Sequence, residues 1–410
     1  MKISKKTFQN FSYLASSHFL IMFIGLITSA VWARYTTIEV FGKYQLLISF
    51  LSIVAIFGIP GFGLSSQLSA AKNKHGNLEI LFKKRILFSF VSSFFLILIG
   101  LYYQTINSDL EMACLLYISS FIFPLYNLKN IWESWLTAIA EYKKLSYIQV
   151  LFAIVSLLSL IVSLVFIGNI YFVIIITFST IALCNALIIF YFKKMRQNKE
   201  EDYTLINYGY KVSLSMIVPL LLSFDKFIIS EYLSIKDVAI YSVAIILITY
   251  IKSLYGIINR LITPRITMAS TVHDAWTYLK PKMSLLVLVF FIIGIAGFFS
   301  LEYIITFIYS VKYTESALYG KWLWLFTVIA IPATFLANIL RAQQKLKFTY
   351  LYEIFNSGFK IIFFLILVPI YGLWGIVYST IIMSIFSSIL IFVYFYIELK
   401  KEKHVNKNIR

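Results

Sequence analysis

The chain has 410 residues, of which 60% are hydrophobic and only 13% are charged. A soluble protein of this length needs far more polar surface, so the composition excludes an ordinary soluble enzyme and indicates a protein that works within a bilayer. The net charge of +18 suggests nucleic acid as a partner, but the basic residues lie mainly between apolar segments, and this placement argues against nucleic acid.

The apolar segments predict an all-α polytopic membrane protein. A helix needs roughly 20 apolar residues to cross the hydrocarbon, and the sequence contains about twelve such runs. The predicted spans cover residues 11–33, 40–60, 86–104, 111–137, 145–167, 170–192, 209–230, 238–260, 284–307, 322–341, 347–369 and 374–397.

The basic residues predict the orientation of these spans. If the N-terminus lies inside, the inner loops and tails hold most of the lysines and arginines, including Lys83, Lys84 and Arg85. The positive-inside rule then places both the N- and C-termini in the cytoplasm. The N-terminal basic residues run into a long span without a small-residue cleavage site, so this segment is interpreted as the first helix and not as a removable signal.

Two sequence echoes indicate an internal duplication. Residues 34–44 return as residues 231–241, and residues 136–144 resemble residues 340–348 at nearly the same shift. The first echo matches Tyr35 with Tyr232, Ile38 with Ile235 and Tyr44 with Tyr241. Many transporters are built from duplicated halves. We therefore predict two parallel six-helix lobes, residues 1–200 with spans 1–6 and residues 201–410 with spans 7–12.

Ionisable residues inside spans are costly unless they are paired or hydrated, so each is a candidate for function. In span 4, Lys129, Asn130 and Glu133 lie on one polar stripe, and Lys129 and Glu133 have the i, i+4 spacing of an ion pair. Pro124 predicts a kink just before this stripe. The stripe either lines a water-filled cavity or is hydrated at the membrane interface.

Spans 7 and 8 carry the next candidates. Asp225 and Lys226 are neighbours, so their side chains point about 100° apart on a helix, and we expect Asp225 to face inward while Lys226 snorkels. Lys252 is the one charge in the middle of span 8, and Tyr255 shares its face. An unpaired cation at that depth needs a partner from another helix or an anionic ligand.

Span 11 shows the clearest pattern. Glu353, Asn356, Ser357 and Lys360 are spaced i, i+3, i+4, i+7, which predicts one polar face on a helix. Lys360 lies near the predicted middle of the bilayer, too deep to snorkel easily. The face either lines a water-filled cavity or contains an ion pair that satisfies itself.

Catalytic signatures are missing from the sequence. There is no Walker-type glycine loop, no His/Cys spacing typical of a metal site and no nucleophile elbow. The sequence therefore predicts no catalytic residue, no bound metal and no cofactor, and it favours a transporter over an enzyme. The energy source stays open between H⁺, Na⁺ and downhill use of the substrate, with Glu133, Asp225 and Glu353 as the carboxylates able to titrate.

Several stretches resemble the polysaccharide-transporter (Wzx-type flippase) branch of the MOP, or MATE-like, superfamily. They are residues 41–44, which open span 2, residues 225–234, which close span 7, residues 238–241, which open span 8, residues from 342 onward, and residues 371–375 before span 12. The resemblance covers essentially the whole chain. It identifies the superfamily better than the substrate, because the motifs are degenerate.

The resemblance implies a twelve-helix, two-lobe exporter in a bacterial inner membrane. Such proteins flip undecaprenyl-diphosphate-linked oligosaccharides, the repeat units of O-antigen or capsule, from the inner to the outer leaflet by alternating access. The expected partners are that lipid-linked substrate, membrane lipids, and the polymerase and chain-length proteins of a lipopolysaccharide-type pathway. The resemblance also favours a functional role for Arg34 at the end of span 1, where the alternative is a snorkelling arginine.

Three alternatives remain. A cation-coupled exporter of the related MATE branch needs a buried carboxylate in its first span, but the sequence has no acid between Phe11 and Val31. A flippase for another lipid-linked precursor fits the same composition. A membrane glycosyltransferase or polymerase is a more distant alternative, because it needs a soluble loop or an acidic site that the sequence lacks.

Overall fold

The computed structural model describes residues 5–195, 198–217, 222–343 and 345–408. Within these ranges the chain forms helices and no strand. The helices of the first half are α1 (Lys5–Tyr35), α2 (Ile38–Val54), α3 (Phe62–Ala71), α4 (Gly76–Thr105), α5 (Leu110–Tyr126), α6 (Lys129–Ala138), α7 (Tyr142–Phe166), α8 (Ile170–Met195) and α9 (Tyr203–Ser215). Those of the second half are α10 (Asp225–Tyr232), α11 (Ile235–Thr267), α12 (Val272–Tyr309), α13 (Thr314–Ala342), α14 (Leu346–Glu353), α15 (Lys360–Tyr371) and α16 (Leu373–Asn408).

Eleven helical segments in the described part of the chain are long and apolar enough to cross a membrane. They are Ser12–Tyr35, Ile38–Gly58, Gly76–Thr105, Leu110–Ala138, Tyr142–Phe166, Ile170–Phe192, Ile235–Gly256, Val272–Tyr309, Val311–Ala342, Lys347–Tyr371 and Leu373–Glu402. The all-α multi-pass prediction is confirmed. The predicted span at 209–230 falls partly outside the described residues.

The chain divides into two compact units, Met1–Ser223 and Phe224–Arg410. The second unit therefore begins at the short helix α10, and α9 belongs to the first unit. The six-helix lobes bounded at residues 200 and 201 stay a prediction.

Both sequence echoes correspond to repeated turns. Tyr35 and Tyr232 are the last residues of α1 and α10, and two residues separate each helix from the next. The following helices have equivalent caps, because Thr37 accepts a hydrogen bond from the Val40 N–H and Ser234 accepts one from the Asp237 N–H.

The second echo also corresponds to two equivalent turns, one after α6 and one after α13. Helices α6 and α13 end at Ala138 and Ala342, and the next helices begin after turns of equal length. The N–H of Glu141 bonds to the Leu136 carbonyl at 3.1 Å, and the N–H of Lys345 bonds to the Leu340 carbonyl at 3.0 Å. These shared turns support duplication of the fold.

The core of the first unit forms where α3, α4, α6 and α8 pack together. Trp132 is fully buried, and its indole N–H donates to Asn185 on α8 at 3.1 Å. Asn185 in turn donates to the carbonyls of Leu125 and Tyr126, both at 3.0 Å. These carbonyls lie in the last turn of α5, where helical partners run out. A polar side chain inside the core thus satisfies a helix end inside the membrane.

Helix α9 packs against α3 at very short range. A Cβ atom on Gly61 would lie 2.2 Å from the Gly209 carbonyl oxygen, and one on Gly209 would lie 2.3 Å from Ser65 Oγ. The Gly61 N–H donates to Ser213 at 2.9 Å, and Ser65 donates to the Leu205 carbonyl at 2.7 Å. Small residues on both helices allow this approach, as is common where membrane helices meet.

The segment between α8 and α9 is fastened to the turn before α4. Asn77 is fully buried; its amide donates to the Asp202 carbonyl at 3.0 Å and accepts from the Asp202 N–H at 2.8 Å. The Gly76 N–H donates to the Glu200 carbonyl at 2.9 Å. Lys74 pairs with the Glu200 carboxylate at 2.7 Å, and this ammonium holds the pKa of Glu200 below its ordinary value of 4.5.

In the second unit, α12, α13 and α16 surround a large apolar core. Trp324 on α13 donates to the Ile293 carbonyl of α12 at 3.1 Å, and a Cβ on Gly297 would lie 1.9 Å from its indole nitrogen. The carboxylate of Glu402 on α16 accepts from the N–H groups of Val272 and His273 at 3.1 and 2.8 Å. A carboxylate at the first turn of α12 stabilises that helix end.

Candidate functional site

Helix α6 carries the candidates of the first unit. The Lys129 ammonium lies 3.5 Å from Glu133 and 5.8 Å from the centre of the Phe152 ring, so the ion pair predicted from the i, i+4 spacing is confirmed. Glu133 also accepts a hydrogen bond from Gln149 at 2.7 Å. Lys129 is 47% exposed and Glu133 25% exposed, which leaves the ammonium open to a further anion.

Asn130 is exposed beside this pair. Its amide donates to the Pro60 carbonyl at 3.2 Å and accepts from Ser134 at 3.3 Å. A Cβ on Gly63 would lie 2.6 Å from the same amide. Glycine at position 63 therefore lets α3 approach Asn130 closely.

The predicted kink at Pro124 takes the form of a helix break. Helix α5 ends at Tyr126 and α6 begins at Lys129, with two residues between them. Proline has no N–H to give to the carbonyl four residues earlier. That carbonyl, on Ser120, accepts a hydrogen bond from Ser93 at 2.6 Å instead. Lys129 thus lies in the first turn of a new helix and not in the middle of a continuous one.

Arg85 shows where the sequence interpretation was wrong. The sequence grouped it with inner-loop cations, but it lies in α4 and is only 3% exposed. Its guanidinium donates to the Asn127 carbonyl at 2.9 Å, to the Asn127 side-chain oxygen at 2.9 Å and to the Ile59 carbonyl at 2.6 Å. No ion pair of Arg85 occurs among the described residues. The missed signal was the i, i+4 run Leu81, Arg85 and Ser89, which places Arg85 on the buried face of α4.

Arg34 lies in the last turn of α1 and is exposed. Exposure at this helix end fits both a functional arginine and a snorkelling one. Its proposed role therefore stays a prediction.

In the second unit, Asp225 opens α10 and accepts a hydrogen bond from Tyr241 on α11 at 2.7 Å. Its other oxygen accepts from the Lys226 N–H at 2.7 Å. Tyr241 is the residue that matches Tyr44 in the first echo. Helix α10 also packs against α15, which carries Lys360.

Lys360 lies within electrostatic reach of both Lys252 and Asp225. The Lys360 ammonium lies 5.4 Å from the centre of the Phe364 ring, and Lys252 is exposed. Within the described part of the chain, neither lysine forms an ion pair. Two cations in a low-dielectric region repel each other, and an anion between them relieves that repulsion.

The predicted common face of span 11 is wrong in its geometry. Residues Ile354–Phe359 form a π-helix, which has more residues per turn than an α-helix and shifts every later side chain. Glu353 pairs with Arg341 on α13 at 2.6 Å, whereas Asn356 accepts from Ser387 on α16 at 3.4 Å. Of the four residues, Lys360 is the one near Asp225 and Lys252. Single-turn π-bulges are frequent at functional sites.

Tyr255 takes part in a polar network that the sequence did not reveal. Asn338 on α13 donates to the Tyr255 oxygen at 2.5 Å and to the Asn259 side-chain oxygen at 2.7 Å. The Tyr255 ring meets Phe335 edge to face, with 5.0 Å between ring centres. The sequence could have pointed to Asn338, because a lone asparagine among the apolar residues of a membrane span needs hydrogen-bond partners.

The structure thus groups the candidates by unit. In the first unit, Lys129, Asn130 and Glu133 lie together on α6. In the second, Lys360 lies within electrostatic reach of Lys252 and of Asp225, while Tyr255, Asn356 and Glu353 have separate partners on neighbouring helices. Among the described residues, no group of three or more His, Cys, Asp or Glu side chains is placed to hold a metal ion.

Solved structures share this fold. An inward-facing multidrug resistance MATE transporter of the MOP superfamily is 12% identical, with a TM-score of 0.74, covering 93% of this chain and 96% of the other. An outward-facing MATE transporter of the same superfamily is 12% identical, with a TM-score of 0.67 and 96% of both chains covered. The lipid II flippase MurJ, in an inward closed conformation, is 15% identical, with a TM-score of 0.69, covering 93% and 87%.

Sequence comparison is more specific about the family. No curated protein sequence matches this chain. The family model described as "Polysaccharide biosynthesis protein" matches residues 7–270, more than half of the chain. The fold that these structures share is that of solved transporters. The chain is therefore a multi-pass membrane protein that belongs to the polysaccharide biosynthesis protein family and has the MOP transporter fold.

Proposed function

We propose that this protein flips undecaprenyl-diphosphate-linked oligosaccharide repeat units, precursors of O-antigen or capsule, from the inner to the outer leaflet by alternating access. The observation that carries the proposal is the cluster of Lys252 and Lys360 in the second unit. These two intramembrane cations have no ion-pair partner among the described residues, and the nearby Asp225 is engaged by Tyr241.

The chemistry of the substrate suits this cluster. A diphosphate is an anion that cannot enter hydrocarbon alone, because the desolvation cost is too large. Lysine binds phosphate as a point charge and needs no fixed approach direction. Two such lysines can follow an anion that moves, whereas a rigid fork would hold it in one place.

The first unit contributes groups suited to the same substrate. Lys129 is paired with Glu133 but stays half exposed, and Asn130 presents an exposed amide. Amides and tyrosine hydroxyls form hydrogen bonds with sugar hydroxyls. We propose that Arg34, Lys129, Asn130, Glu133, Asp225, Lys252, Tyr255, Glu353, Asn356 and Lys360 line the transport path.

The proposal also includes the protein's location, its partners and its energy source. The protein resides in a bacterial inner membrane, with both termini in the cytoplasm, as the distribution of basic loops favours. It contacts membrane lipids, and it delivers the flipped repeat units to the polymerase and chain-length proteins of its pathway. H⁺ or Na⁺ drives turnover, with Asp225, which lies within electrostatic reach of Lys360, as the candidate carboxylate for ion coupling.

The direct test is deletion of the gene in its own host. We expect loss of long surface polysaccharide, together with accumulation of a complete repeat unit on undecaprenyl diphosphate in extracted lipids. Accumulation of a truncated lipid-linked sugar would identify a glycosyltransferase instead. Unchanged polysaccharide and lipid pools would favour a MATE-type exporter, and an accumulated peptidoglycan precursor would favour another lipid-linked flippase.

A matched pair of lysine variants tests the site. Lys360→Ala removes one cation of the cluster and should abolish polymer display at a normal protein level. Lys321→Ala removes a lysine near the start of α13, whose ammonium lies 5.9 Å from the centre of the Phe298 ring, and should leave display unchanged. Normal display by Lys360→Ala would refute the assignment of this lysine to the transport path.

A further inference from the structure

Two helices of the first unit break close together, and Arg85 joins both breaks. The first break follows α2, where a short 3₁₀ segment, Ala55–Gly58, leads into Ile59 and α3. The second break separates α5 from α6 at Asn127 and Leu128. A Cβ on Gly58 would lie 2.5 Å from the Asn127 amide nitrogen, so the two breaks are in direct contact.

Both breaks place backbone carbonyls outside regular α-helix. Ile59 has a positive φ of 56°, a conformation that β-branched residues rarely adopt. Its carbonyl accepts a hydrogen bond from the Phe62 N–H at 3.1 Å, and a carbonyl oxygen can accept a second one. The Arg85 guanidinium donates to the Ile59 carbonyl, to the Asn127 carbonyl and to the Asn127 side-chain oxygen, so it links the two breaks.

Only an arginine can make this arrangement. Its planar group carries five N–H donors in fixed directions, so one residue can hold two backbones at a defined separation. Burying its charge without an acidic partner is costly. The cost is explained if the geometry that Arg85 imposes has a role.

The geometry fixed by Arg85 is the direction of α6. Asn127 lies two residues before the first residue of α6, and Ile59 precedes Pro60, whose carbonyl accepts from Asn130. Ser66 on α3 also donates to the Ile131 carbonyl of α6 at 2.8 Å. Lys129 and Asn130 are therefore the first residues after a junction that Arg85 sets.

We propose that Arg85 is a positioning residue that aims Lys129 and Asn130 into the transport path by holding the two helix breaks together. It acts through the backbone and contacts no substrate. The proposal rests on the proposed function for the substrate, but the aim of α6 can be measured without it.

The experiment compares Arg85→Lys with Lys83→Gln. Lysine keeps the charge but reaches at most one of the two breaks, whereas Lys83 is exposed and pairs only with Glu79 at 2.9 Å. Each variant is built with Cys114→Ser, Cys184→Ser and a reporter, Ser134→Cys, on α6. Three quantities are measured: folded protein by size-exclusion chromatography, the rate at which the reporter reacts with a membrane-impermeant maleimide, and surface polysaccharide.

For Arg85→Lys we expect a monodisperse protein, a reporter rate changed roughly tenfold, and polysaccharide lowered by a similar factor, because small displacements of positioning groups have effects of this size. Lys83→Gln should match the parent in all three. If Arg85→Lys does not fold, Asn127→Ala removes one of the three hydrogen bonds and should shift the reporter rate in the same direction.

An unchanged reporter rate in the folded Arg85→Lys or Asn127→Ala protein would overturn the proposal, whatever the polysaccharide shows. An equal change in Lys83→Gln would also overturn it, because the effect would then not be specific to the breaks. If the gene deletion leaves polysaccharide intact, the proposed function fails while the reporter still decides the role of Arg85.

Discussion

The fastening of the segment between α8 and α9 gives a prediction whose size follows from the structure. Asn77→Ala removes two hydrogen bonds to Asp202, at 3.0 and 2.8 Å, and one to Ser69 at 2.9 Å. The bond to Ser69 lies within the α3–α4 region and is present whether or not the segment is attached. The two bonds to Asp202 contribute about 1 kcal/mol each, so the substitution lowers the free energy of detachment by about 2 kcal/mol.

That loss has a measurable consequence. Since 1.4 kcal/mol corresponds to a factor of ten, about 2 kcal/mol raises the detached population roughly 30-fold. Lys199 lies in this segment and is exposed, so trypsin should cut there. When opening and closing are fast, cleavage follows the open population. We expect limited trypsin digestion of the purified protein to cut the variant after Lys199 about 30-fold faster than the parent.

The control is Lys74→Gln, which removes only the exposed ion pair with Glu200. Exposed ion pairs contribute little, so cleavage should rise by about threefold at most. Equal cleavage of Asn77→Ala and the parent would refute the reasoning. An effect of Lys74→Gln as large as that of Asn77→Ala would show that the ion pair, and not the buried amide, holds the segment.

Three further predictions concern packing, capping and pH. Gly209→Ala should lower the melting temperature in detergent because its Cβ would meet Ser65, whereas Gly256→Ala, with no atom within 4 Å, should keep or raise it. Glu402→Gln should destabilise the second unit by about 1 kcal/mol, measured by thermal unfolding, because a neutral amide caps α12 less well. The pKa of Glu200 is lowered by Lys74, so their pair is complete above pH 4.5 and is lost as the pH falls through that lowered pKa. Hydrogen exchange of the Gly76 amide, corrected for its intrinsic rate, should therefore rise below pH 4.5 in the parent and less steeply in Lys74→Gln.

Each of these has a clear contrary outcome. Equal melting temperatures for the two glycine variants would show that α9 can move away from α3 without cost. An unchanged unfolding curve for Glu402→Gln would show that the last turns of α16 do not support α12. An identical acid response with and without Lys74 would assign the pH dependence to other groups near the segment.

The local sequence determined the helices and the repeated turns. Hydrophobic run length identified the spans, because every backbone group must be bonded within a helix that crosses lipid. The echoes at Tyr35 and Tyr232 predicted equivalent helix ends, because caps and turns depend on a few neighbouring residues. The Lys129–Glu133 pair also followed from spacing alone.

The tertiary structure decided which charges face each other. The even α-helical spacing of span 11 predicted one polar face, but a π-helix and partners on two other helices separated Glu353 and Asn356 from Lys360. Arg85 looked like a loop cation, because nothing in its neighbours along the chain shows that carbonyls of Ile59 and Asn127 lie beside it. Hydropathy and spacing act over a few residues, whereas the partners that satisfy a buried charge come from distant helices, and only their packing brings them together.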